Sequence, residues 1–352
     1  MQACVLCGTE ALKRCGVCHN VHYCSRTCQR SDWPMHKLTC SSKLTMQSSA
    51  RGGVGLFAAK AFAVGDELLR EAPLLRWEAA RLQSGYGGHD GAEALVRQTI
   101  DDRFAALSDA RKEAVMALCD SHKSDHGEAS LWGIVRSNGV RSGHSEDERR
   151  IPHSALFALV CRLNHACKAN ARYGWRQDLG VERVVAVCPI AAGEEVCVQY
   201  RTMYAPRVAR QAQLFNGFNF MCTCGACQHP SDASDERMVE IRNLLDEMQR
   251  VGFNDASHAL VLSERLLRVM HQEGVATPHD LVGVHEAACE LAIQCNDMDK
   301  TRHHLSLALE CARLSDGTDS PRTARCENAL AKLTRQHALD PPHASTDATV
   351  VA

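Results

Sequence analysis

The alternation of apolar and polar residues predicts short β-strands in the middle of the chain. Residues 183–188 are a strand-like apolar run, residues 195–200 show the alternation, and a proline and a glycine turn separate the two segments. In the second segment, Val196, Val198 and Tyr200 fall on one face of the strand. A tyrosine at the end of such a strand is either a core residue or part of a site.

A glycine-rich segment at 51–55 precedes these strands in the chain. Its glycines either form a hairpin or allow the backbone to approach a ligand closely. The segment lacks the Lys-Ser/Thr pair of a phosphate-binding loop, and the residues before it do not have a convincing strand pattern of the kind that a dinucleotide-binding fold requires.

Helical spacing follows between residues 92 and 120, across two segments that meet near Ser108. We expect their apolar stripe to be buried: Leu95, Ile100, Phe104, Leu107, Val115, Met116 and Leu118. A short apolar helix is predicted at 131–135, and a surface loop at 141–150. The chain therefore contains both strand-like and helical segments, and the expected fold class is α+β.

The C-terminal third has helical periodicity throughout. A linker at 231–235 leads into amphipathic segments at 238–248, 257–272, 279–295, 298–314 and 319–337. They predict antiparallel helical hairpins, similar to tetratricopeptide repeats but without a clean 34-residue period. The end of the chain, 339–352, is predicted to be a disordered tail.

Composition narrows the class of protein. The 352 residues suffice for two or three domains, and the net charge of −2 argues against direct binding to nucleic acid. The chain has no apolar run of about 18 residues and no signal-like start, so we expect no membrane contact. We therefore expect a monomer in the cytoplasm or nucleus.

Nineteen cysteines are present, and eleven of them occur at short spacings typical of zinc ligands. The other eight stand singly among apolar residues, and we expect them to be small buried side chains: Cys119, Cys161, Cys188, Cys197, Cys289, Cys295, Cys311 and Cys326.

Four ligand pairs lie within the first 40 residues: Cys4/Cys7, Cys15/Cys18, Cys24/Cys28 and His36/Cys40. A Cys-x2-Cys turn directs two thiolates at one ion, and two ligands four residues apart project from one face of a helix. Eight ligands without an open position predict two structural zinc ions.

A third cluster joins two distant segments. Residues 162–170 place Asn164 and His165 beside Cys167, and three more cysteines follow at Cys222, Cys224 and Cys227. These four cysteines predict a third zinc site, although the later three could instead pair among themselves or recruit His229. Asn164 and His165 would then lie beside the metal site, as candidate residues of a small-molecule site.

The ligand order of the first 40 residues, with Tyr23 before the fifth ligand and Trp33 before the histidine, resembles the MYND zinc finger. The resemblance implies alternating ligand pairs: Cys4, Cys7, Cys24 and Cys28 for one zinc, and Cys15, Cys18, His36 and Cys40 for the other. MYND fingers generally bind proline-containing peptides of partner proteins, so a docking role is implied, with a packing role as the alternative.

The glycine hairpin, the Asn-His-x-Cys segment, the strand ending in Tyr200 and the Cys-x-Cys-x2-Cys segment occur in the order of a SET methyltransferase. The chain thus resembles the SET-and-MYND lysine methyltransferases over about residues 1–232. The resemblance implies an S-adenosyl-L-methionine site at Gly53, Gly55, Asn138, Asn164, His165 and Phe220. It also implies Tyr200 as the catalytic residue, and Phe218 and Phe220 beside it in the channel for the substrate lysine.

The residue types suit this chemistry. Transfer of a methyl group to lysine requires a neutral amine, and an apolar channel lowers the amine's pKa by removing it from water. Aromatic walls with one hydroxyl meet that requirement, and the hydroxyl of Tyr200 orients the nitrogen rather than accepting a proton.

The resemblance implies a domain order. It comprises a MYND finger at 1–42, a SET domain at 50–218 with a helical insertion at about 90–150, a post-SET zinc segment at 219–232 and helical hairpins at 235–338. The expected substrate is a protein or peptide lysine.

Four positions depart from the family pattern: Ala166, Ala169, Thr202 and Phe218. The two alanines replace a usual serine and proline, Thr202 replaces an acidic residue, and Phe218 replaces a second tyrosine. They leave open a weakly catalytic scaffold that binds proline-containing peptides.

Overall fold

The computed structural model describes residues 3–19, 21–79, 90–123, 127–144, 151–201, 204–252 and 254–339. The chain divides into two compact units, Met1–Val239 and Glu240–Ala352. The first combines small sheets with helices, and the described part of the second is helical. The predicted α+β class is confirmed.

The first unit begins with a small module whose buried apolar core consists of three cysteines and Tyr23. Its elements are a two-stranded antiparallel sheet, β1 (Lys13–Arg14) and β2 (His22–Tyr23), and helix α1 (Arg26–Thr39). The hydroxyl of Ser25 caps α1 by accepting a hydrogen bond from the backbone N–H of Cys28 at 3.2 Å. Buried Tyr23 donates to Asp32 Oδ2 at 2.6 Å and so fixes the helix to the sheet.

Three further sheets of the described residues form the centre of this unit, with strand orders β3-β4-β12-β9, β10-β11-β5 and β6-β8-β7. The strands are β3 (Leu44–Ser48), β4 (Val54–Ala58), β5 (Glu67–Glu71), β6 (Leu75–Glu78), β7 (Val140–His144), β8 (Pro152–Leu156), β9 (Asn164–His165), β10 (Ala171–Arg176), β11 (Val181–Ala186) and β12 (Glu195–Val198). Their inward-facing apolar side chains share one core, and Tyr200 packs against it.

The pairing of β12 brings the predicted site segments together. On one side β12 runs antiparallel to β4, the strand that follows the glycine turn. On the other side it runs parallel to β9, with Cys197 opposite Asn164 and Val198 opposite His165. Tyr200, two residues after β12, therefore lies beside both segments.

Three helices cover one side of these sheets: α2 (Asp90–Ala105), α3 (Asp109–Met116) and α4 (Leu131–Asn138). Most of the predicted stripe packs into their core, but Leu95 and Met116 are 49% and 40% exposed, so the expectation of burial was wrong for these two. Met35 and Leu38 of α1 also pack against this core, which fixes the N-terminal module to the helices.

Two other expectations were also wrong. Residues 141–144 are not a loop but belong to β7, because Val140 and Arg141 pair with β8; residues 145–150 lie outside the described residues. Cys119, expected to be buried, is exposed, while Cys161, Cys188 and Cys295 are half-buried.

The helices that close the chain are α5 (Arg207–Phe218), α6 (Gly225–Gln228), α7 (Asp232–Val251), α8 (Ala256–Glu273), α9 (Pro278–Gln294), α10 (Met298–Ser315) and α11 (Pro321–Leu339). Helix α7 begins inside the predicted linker. The side chains of Asp255, Thr277 and Asp297 cap α8, α9 and α10 by accepting backbone N–H groups.

The predicted helical C-terminal region is confirmed, whereas its likeness to tetratricopeptide repeats stays a prediction. Residue 339 belongs to α11 rather than to the tail, and 340–352 lie outside the described residues. Among the described helices, none has the length and apolarity needed to cross a membrane.

Candidate active site

A cavity of about 510 Å³ lies among segments that are far apart in the sequence. Its walls come from the glycine turn, the loop after α3, the end of α4, the segment around β9 and the segment after α5. Predicted site residues that line it are Gly53, Asn138, Asn164, His165, Tyr200, Phe218 and Phe220. Its volume falls in the range of small-molecule sites.

Gly55 does not line this cavity, although a cofactor contact was predicted for it. A Cβ atom at this position would lie 2.3 Å from Oε1 of Glu195. A glycine is therefore needed here to leave room for the carboxylate of Glu195. Gly53 is different: it lines the cavity and has a φ of 63°, in the left-handed region that favours glycine.

The carboxylate of Glu195 connects the glycine turn to Asn164 beside the cavity. Its Oε1 accepts hydrogen bonds from Ser49 Oγ at 2.7 Å and from Asn164 Nδ2 at 2.8 Å. Its Oε2 forms an ion pair with Arg51 Nε at 3.1 Å. Since Glu195 is the first residue of β12, this strand holds the amide of Asn164 and the glycine turn in one arrangement.

His165 is buried and joins the reactive end of the cavity to the third cysteine cluster. Its Nδ1 accepts the backbone N–H of Tyr200 at 3.2 Å, so a neutral ring carries its proton on Nε2. That Nε2 lies 3.5 Å from Sγ of Cys167. Burial lowers the pKa of His165 to about 4, which keeps the ring neutral.

Three aromatic rings stand together at the inner end of the cavity. The ring centroid of Tyr200 lies 4.9 Å from that of Phe218 and 6.2 Å from that of Phe220. The hydroxyl of Tyr200 donates to the carbonyl of Leu163 at 2.9 Å, and burial raises its pKa above the usual range. Tyr200 therefore stays protonated at neutral pH.

Asn219 separates the two phenylalanines. It ends α5 in the left-handed conformation, with φ of 57° and ψ of 39°, which asparagine tolerates better than most residues. Its Nδ2 donates to the carbonyl of Ser121 at 3.0 Å. This bond ties the aromatic segment to the loop after α3, on another wall of the cavity.

Asn138 lies at the end of α4, where its amide nitrogen donates to the carbonyls of Cys119 at 2.6 Å and Ile134 at 2.7 Å. The backbone carbonyl of Asn138 accepts a hydrogen bond from Cys161 Sγ at 3.3 Å. These bonds join the end of α4 to two other cavity walls, so Asn138 shapes the site as well as lining it.

The metal-ligand atoms predicted from spacing form three groups of four: Cys4, Cys7, Cys24 and Cys28; Cys15, Cys18, His36 and Cys40; Cys167, Cys222, Cys224 and Cys227. Within each group the ligand atoms lie within 4.8 Å of one another. Tetrahedral zinc with Zn–S bonds of about 2.3 Å places its sulfurs roughly 3.8 Å apart, which lies inside this limit, so all three groups fit Zn²⁺. His229, the alternative ligand, is absent from the third group.

The third group is fully buried, with the four cysteines 0–5% exposed. Phe218 and Phe220 pack against the same cluster. Gln211 on α5 holds the backbone of Cys222 from both sides, through Nε2 to its carbonyl and Oε1 to its N–H, each at 2.8 Å. The aromatic end of the cavity is thus built directly on this site.

The sequence reasoning missed Glu195, Arg51, Asn219 and Gln211. For Glu195 a signal existed: alternation in the strand assigned Val196, Val198 and Tyr200 to one face, so Glu195 had to occupy the other. Nothing in the sequence shows that Asn219 would adopt the left-handed conformation or reach Ser121. Of the four departures, Ala166 is buried beside the third group, and Thr202 lies outside the described residues.

Two family models match the chain. The one described as MYND finger matches residues 4–40, and the one described as SET domain matches residues 53–201. The chain is 28% identical over 297 residues to the N-lysine methyltransferase SMYD2-B of Xenopus laevis, an alignment of 82% of this chain and 64% of that protein. It is 27% identical over 265 residues to the SET domain and MYND-type zinc finger protein 6 of Schizosaccharomyces pombe, covering 71% of this chain and 49% of that protein.

The chain therefore spans about half to two thirds of the length of these two relatives. Among solved structures, the SET domain of LSMT bound to lysine and AdoHcy matches with 12% identity and a TM-score of 0.33, over 88% of this chain and 91% of that one. The chain thus carries a MYND finger followed by a SET domain, the same two domains that the name of the Schizosaccharomyces pombe relative gives.

Proposed function

We propose that this chain is an S-adenosyl-L-methionine-dependent protein-lysine N-methyltransferase. One observation carries the proposal: a single cavity has the polar pair Asn164 and His165 on its wall and the aromatic cluster of Tyr200, Phe218 and Phe220 at its inner end. Relatives named N-lysine methyltransferase support the same reaction class.

The residues that would hold the cofactor are those on the cavity wall: Gly53, Asn138, Asn164, His165 and Phe220. A bound S-adenosyl-L-methionine would supply an activated methyl group on a positively charged sulfonium. The carbonyl oxygen of the Asn164 side chain remains available, because its amide nitrogen is held by Glu195. Gly53 exposes backbone without a side chain in the way.

The aromatic cluster would receive the lysine. A free lysine amine has a pKa of about 10.4, so neutralising it at pH 7 costs roughly 4–5 kcal/mol. Walls of Phe218 and Phe220 remove the amine from water, which favours the neutral form. The proton that the amine loses passes to solvent before the methyl group is transferred.

Tyr200 would position the nitrogen rather than remove its proton. Its raised pKa excludes a tyrosinate at neutral pH, and its hydroxyl already donates to Leu163. The oxygen of that hydroxyl can still accept a hydrogen bond from the amine. Such a contact holds the lone pair in line with the methyl group.

A second function, peptide docking on the N-terminal finger, rests on a separate observation. The finger exposes five large apolar side chains: Val5, Leu6, Leu12, Val17 and Trp33. Aromatic and apolar surfaces of this kind suit proline-containing segments, whose extended conformation loses little entropy on binding. We infer that the finger recruits partner proteins with such segments.

The test of the enzymatic proposal is methyl transfer from labelled S-adenosyl-L-methionine to proteins of a whole-cell lysate, with mass-spectrometric mapping of the modified lysines. We expect Tyr200→Phe to lower turnover by about 100-fold, because the nitrogen loses its positioning contact. Calorimetry should show cofactor binding close to that of the unmodified chain. The matched control is Tyr204→Phe, a tyrosine that does not line the cavity.

No methyl transfer together with no heat of cofactor binding would contradict the proposal and leave the docking function. Full turnover by Tyr200→Phe would contradict only the role given to that hydroxyl.

A further inference from the structure

The third zinc site creates an electrostatic problem because of its burial. Four thiolates around one Zn²⁺ carry a net charge of about −2. All four cysteines lie in an apolar cluster with Leu214, and burying an isolated charge costs several kcal/mol. A positive charge close to the site is required to offset this cost.

Arg210 on α5 is in the place where such a charge is needed. It is only 2% exposed and is among the largest fully buried side chains of the described residues. Its guanidinium interacts with the sulfur of Cys167 and lies near that of Cys227. Leu214, one turn further along the same face of α5, packs within the cysteine cluster, so Arg210 lies on the side of the helix that faces the third group.

The other contacts of Arg210 do not account for its burial. Its Nη1 donates to the carbonyl of Ala205 at 2.6 Å and lies 3.4 Å from Oδ1 of Asp235, a long ion pair. In the part of the chain that the structure describes, its Nε is buried without a hydrogen-bond partner. A surface ion pair would not need a guanidinium carried this far inward.

Neighbouring groups supply less charge. His165 offers the sulfur of Cys167 a neutral N–H dipole. Arg51 is already paired with Glu195 at 3.1 Å. Arg207 bonds the backbone carbonyl of Cys227 at 2.8 Å, which orients the loop rather than the sulfurs.

We propose that Arg210 is the buried counter-charge of the third zinc site and sets how tightly its four cysteines retain the metal. Arg210 and Gln211 are neighbours on α5, so one helix supplies both the charge and the backbone clamp at Cys222. The same helix ends at Phe218, which connects metal retention to the aromatic end of the cavity.

The test uses the full chain loaded with zinc and challenged with EDTA and N-ethylmaleimide. Peptide mass spectrometry follows how fast each cysteine is alkylated, which separates the third site from the finger without any measurement of catalysis. We expect Arg210→Gln to accelerate labelling of Cys222, Cys224 and Cys227 by at least about tenfold, equivalent to about 1.4 kcal/mol. Finger cysteines should be unaffected.

Arg210→Lys keeps the charge and should stay within about threefold of the unmodified chain. The matched control is Arg176→Gln, another buried arginine, which pairs with Asp178 and is not in contact with a cysteine group. Unchanged labelling in Arg210→Gln, or equal acceleration in Arg210→Lys, would overturn the proposal.

Circular dichroism before the challenge shows whether each variant folds. If Arg210→Gln does not fold with zinc, folding of Arg210→Lys supports the counter-charge role, and failure of both variants overturns it in favour of a shape requirement for the guanidinium.

Discussion

The N-terminal finger and the third zinc site use the same ligand chemistry in opposite surroundings. In the finger, Cys7 is exposed and the small core consists of cysteines around Tyr23. In the third site, all four cysteines are buried among apolar residues of the SET region. In the finger, zinc therefore takes the place of a hydrophobic core. In the SET region a hydrophobic core is already present, and zinc connects the segments that form the cavity walls.

The largest effect that can break this comparison is removal of one ligand from each region. We expect Cys224→Ser to lose one zinc and to lower methyl transfer by at least about 100-fold, because Phe218 and Phe220 lose their support. Cys7→Ser should also lose one zinc, yet change turnover by less than about threefold. Elemental analysis and the methyl-transfer rate provide the two readouts. Equal losses of activity would show that the finger, too, supports the cavity.

The two regions should also respond to pH in opposite directions. Glu182 in the SET core is buried and has no hydrogen-bond partner among the described residues, and burial raises its pKa from 4.5 to about 8, with nearby Glu71 adding to the shift. The folded chain therefore binds more protons than the unfolded chain, so stability falls as pH rises from about 4.5 to about 8. The finger ligands must be deprotonated to bind zinc, so the finger weakens as pH falls.

We expect Glu182→Gln to reduce the alkaline loss of stability by up to about 1.4 kcal/mol for each pH unit in that window. Urea unfolding of the zinc-loaded chain at pH 5 to 9 measures it. The matched control is Glu78→Gln, an exposed glutamate on β6, which should leave the slope unchanged. If the free energy of unfolding changed with pH in the same way in Glu182→Gln and in the unmodified chain, Glu182 would not be the group responsible for the alkaline loss of stability.

A smaller change in affinity is expected where the SET region positions polar residues through hydrogen bonds rather than through zinc. Glu195→Gln removes the charge that pairs with Arg51 and leaves one oxygen to serve Ser49 and Asn164. We expect cofactor affinity to fall by about tenfold, since a hydrogen bond to a charged group contributes about 1.5–3 kcal/mol. Calorimetry measures it, with Glu194→Gln on the neighbouring turn as the control. If Glu195→Gln bound the cofactor as tightly as the unmodified chain, Glu195 would have no role in the cofactor site.

The smallest effect lies in the finger. Tyr23→Phe deletes the hydrogen bond to Asp32 and should lower the finger's stability by about 1 kcal/mol. Hydrogen exchange of α1 amides measures this loss, and exchange in β12 should be unchanged. A change that extends to β12 would show that the packing of Met35 and Leu38 couples the two regions strongly.

The local parts of the structure were predictable from the sequence. Finger ligands lie four or fewer residues apart in each pair, and turns and helices fix such pairs whatever the rest of the chain does. Periodicity likewise located α8 to α11 within a few residues. It did not say which side of α2 and α3 faces the core, and so Leu95 and Met116 were assigned to the wrong side.

The candidate site was predictable only through resemblance. Gly53, Asn164 and Tyr200 line one cavity because β12 pairs with both β4 and β9, a tertiary arrangement that no local pattern encodes. The residues that hold them in place depend on single long-range contacts. Glu195 is recognisable only once Ser49, Arg51 and Asn164 are seen around it.

The hydrogen bond between Ser49 and Glu195 spans 146 residues of chain. At a synthesis rate of about 5–20 residues per second, roughly 7–30 seconds separate the appearance of the two partners on the ribosome. The finger can bind zinc and fold during that interval. The third site is completed later, because Cys167 lacks its full set of partner ligands until Cys227 has emerged. Cys167 and Cys227 are 60 residues apart, so in a cell Cys167 is exposed to oxidation for roughly 3–12 seconds before its last partner emerges, longer than any ligand of the finger waits between Cys4 and Cys40.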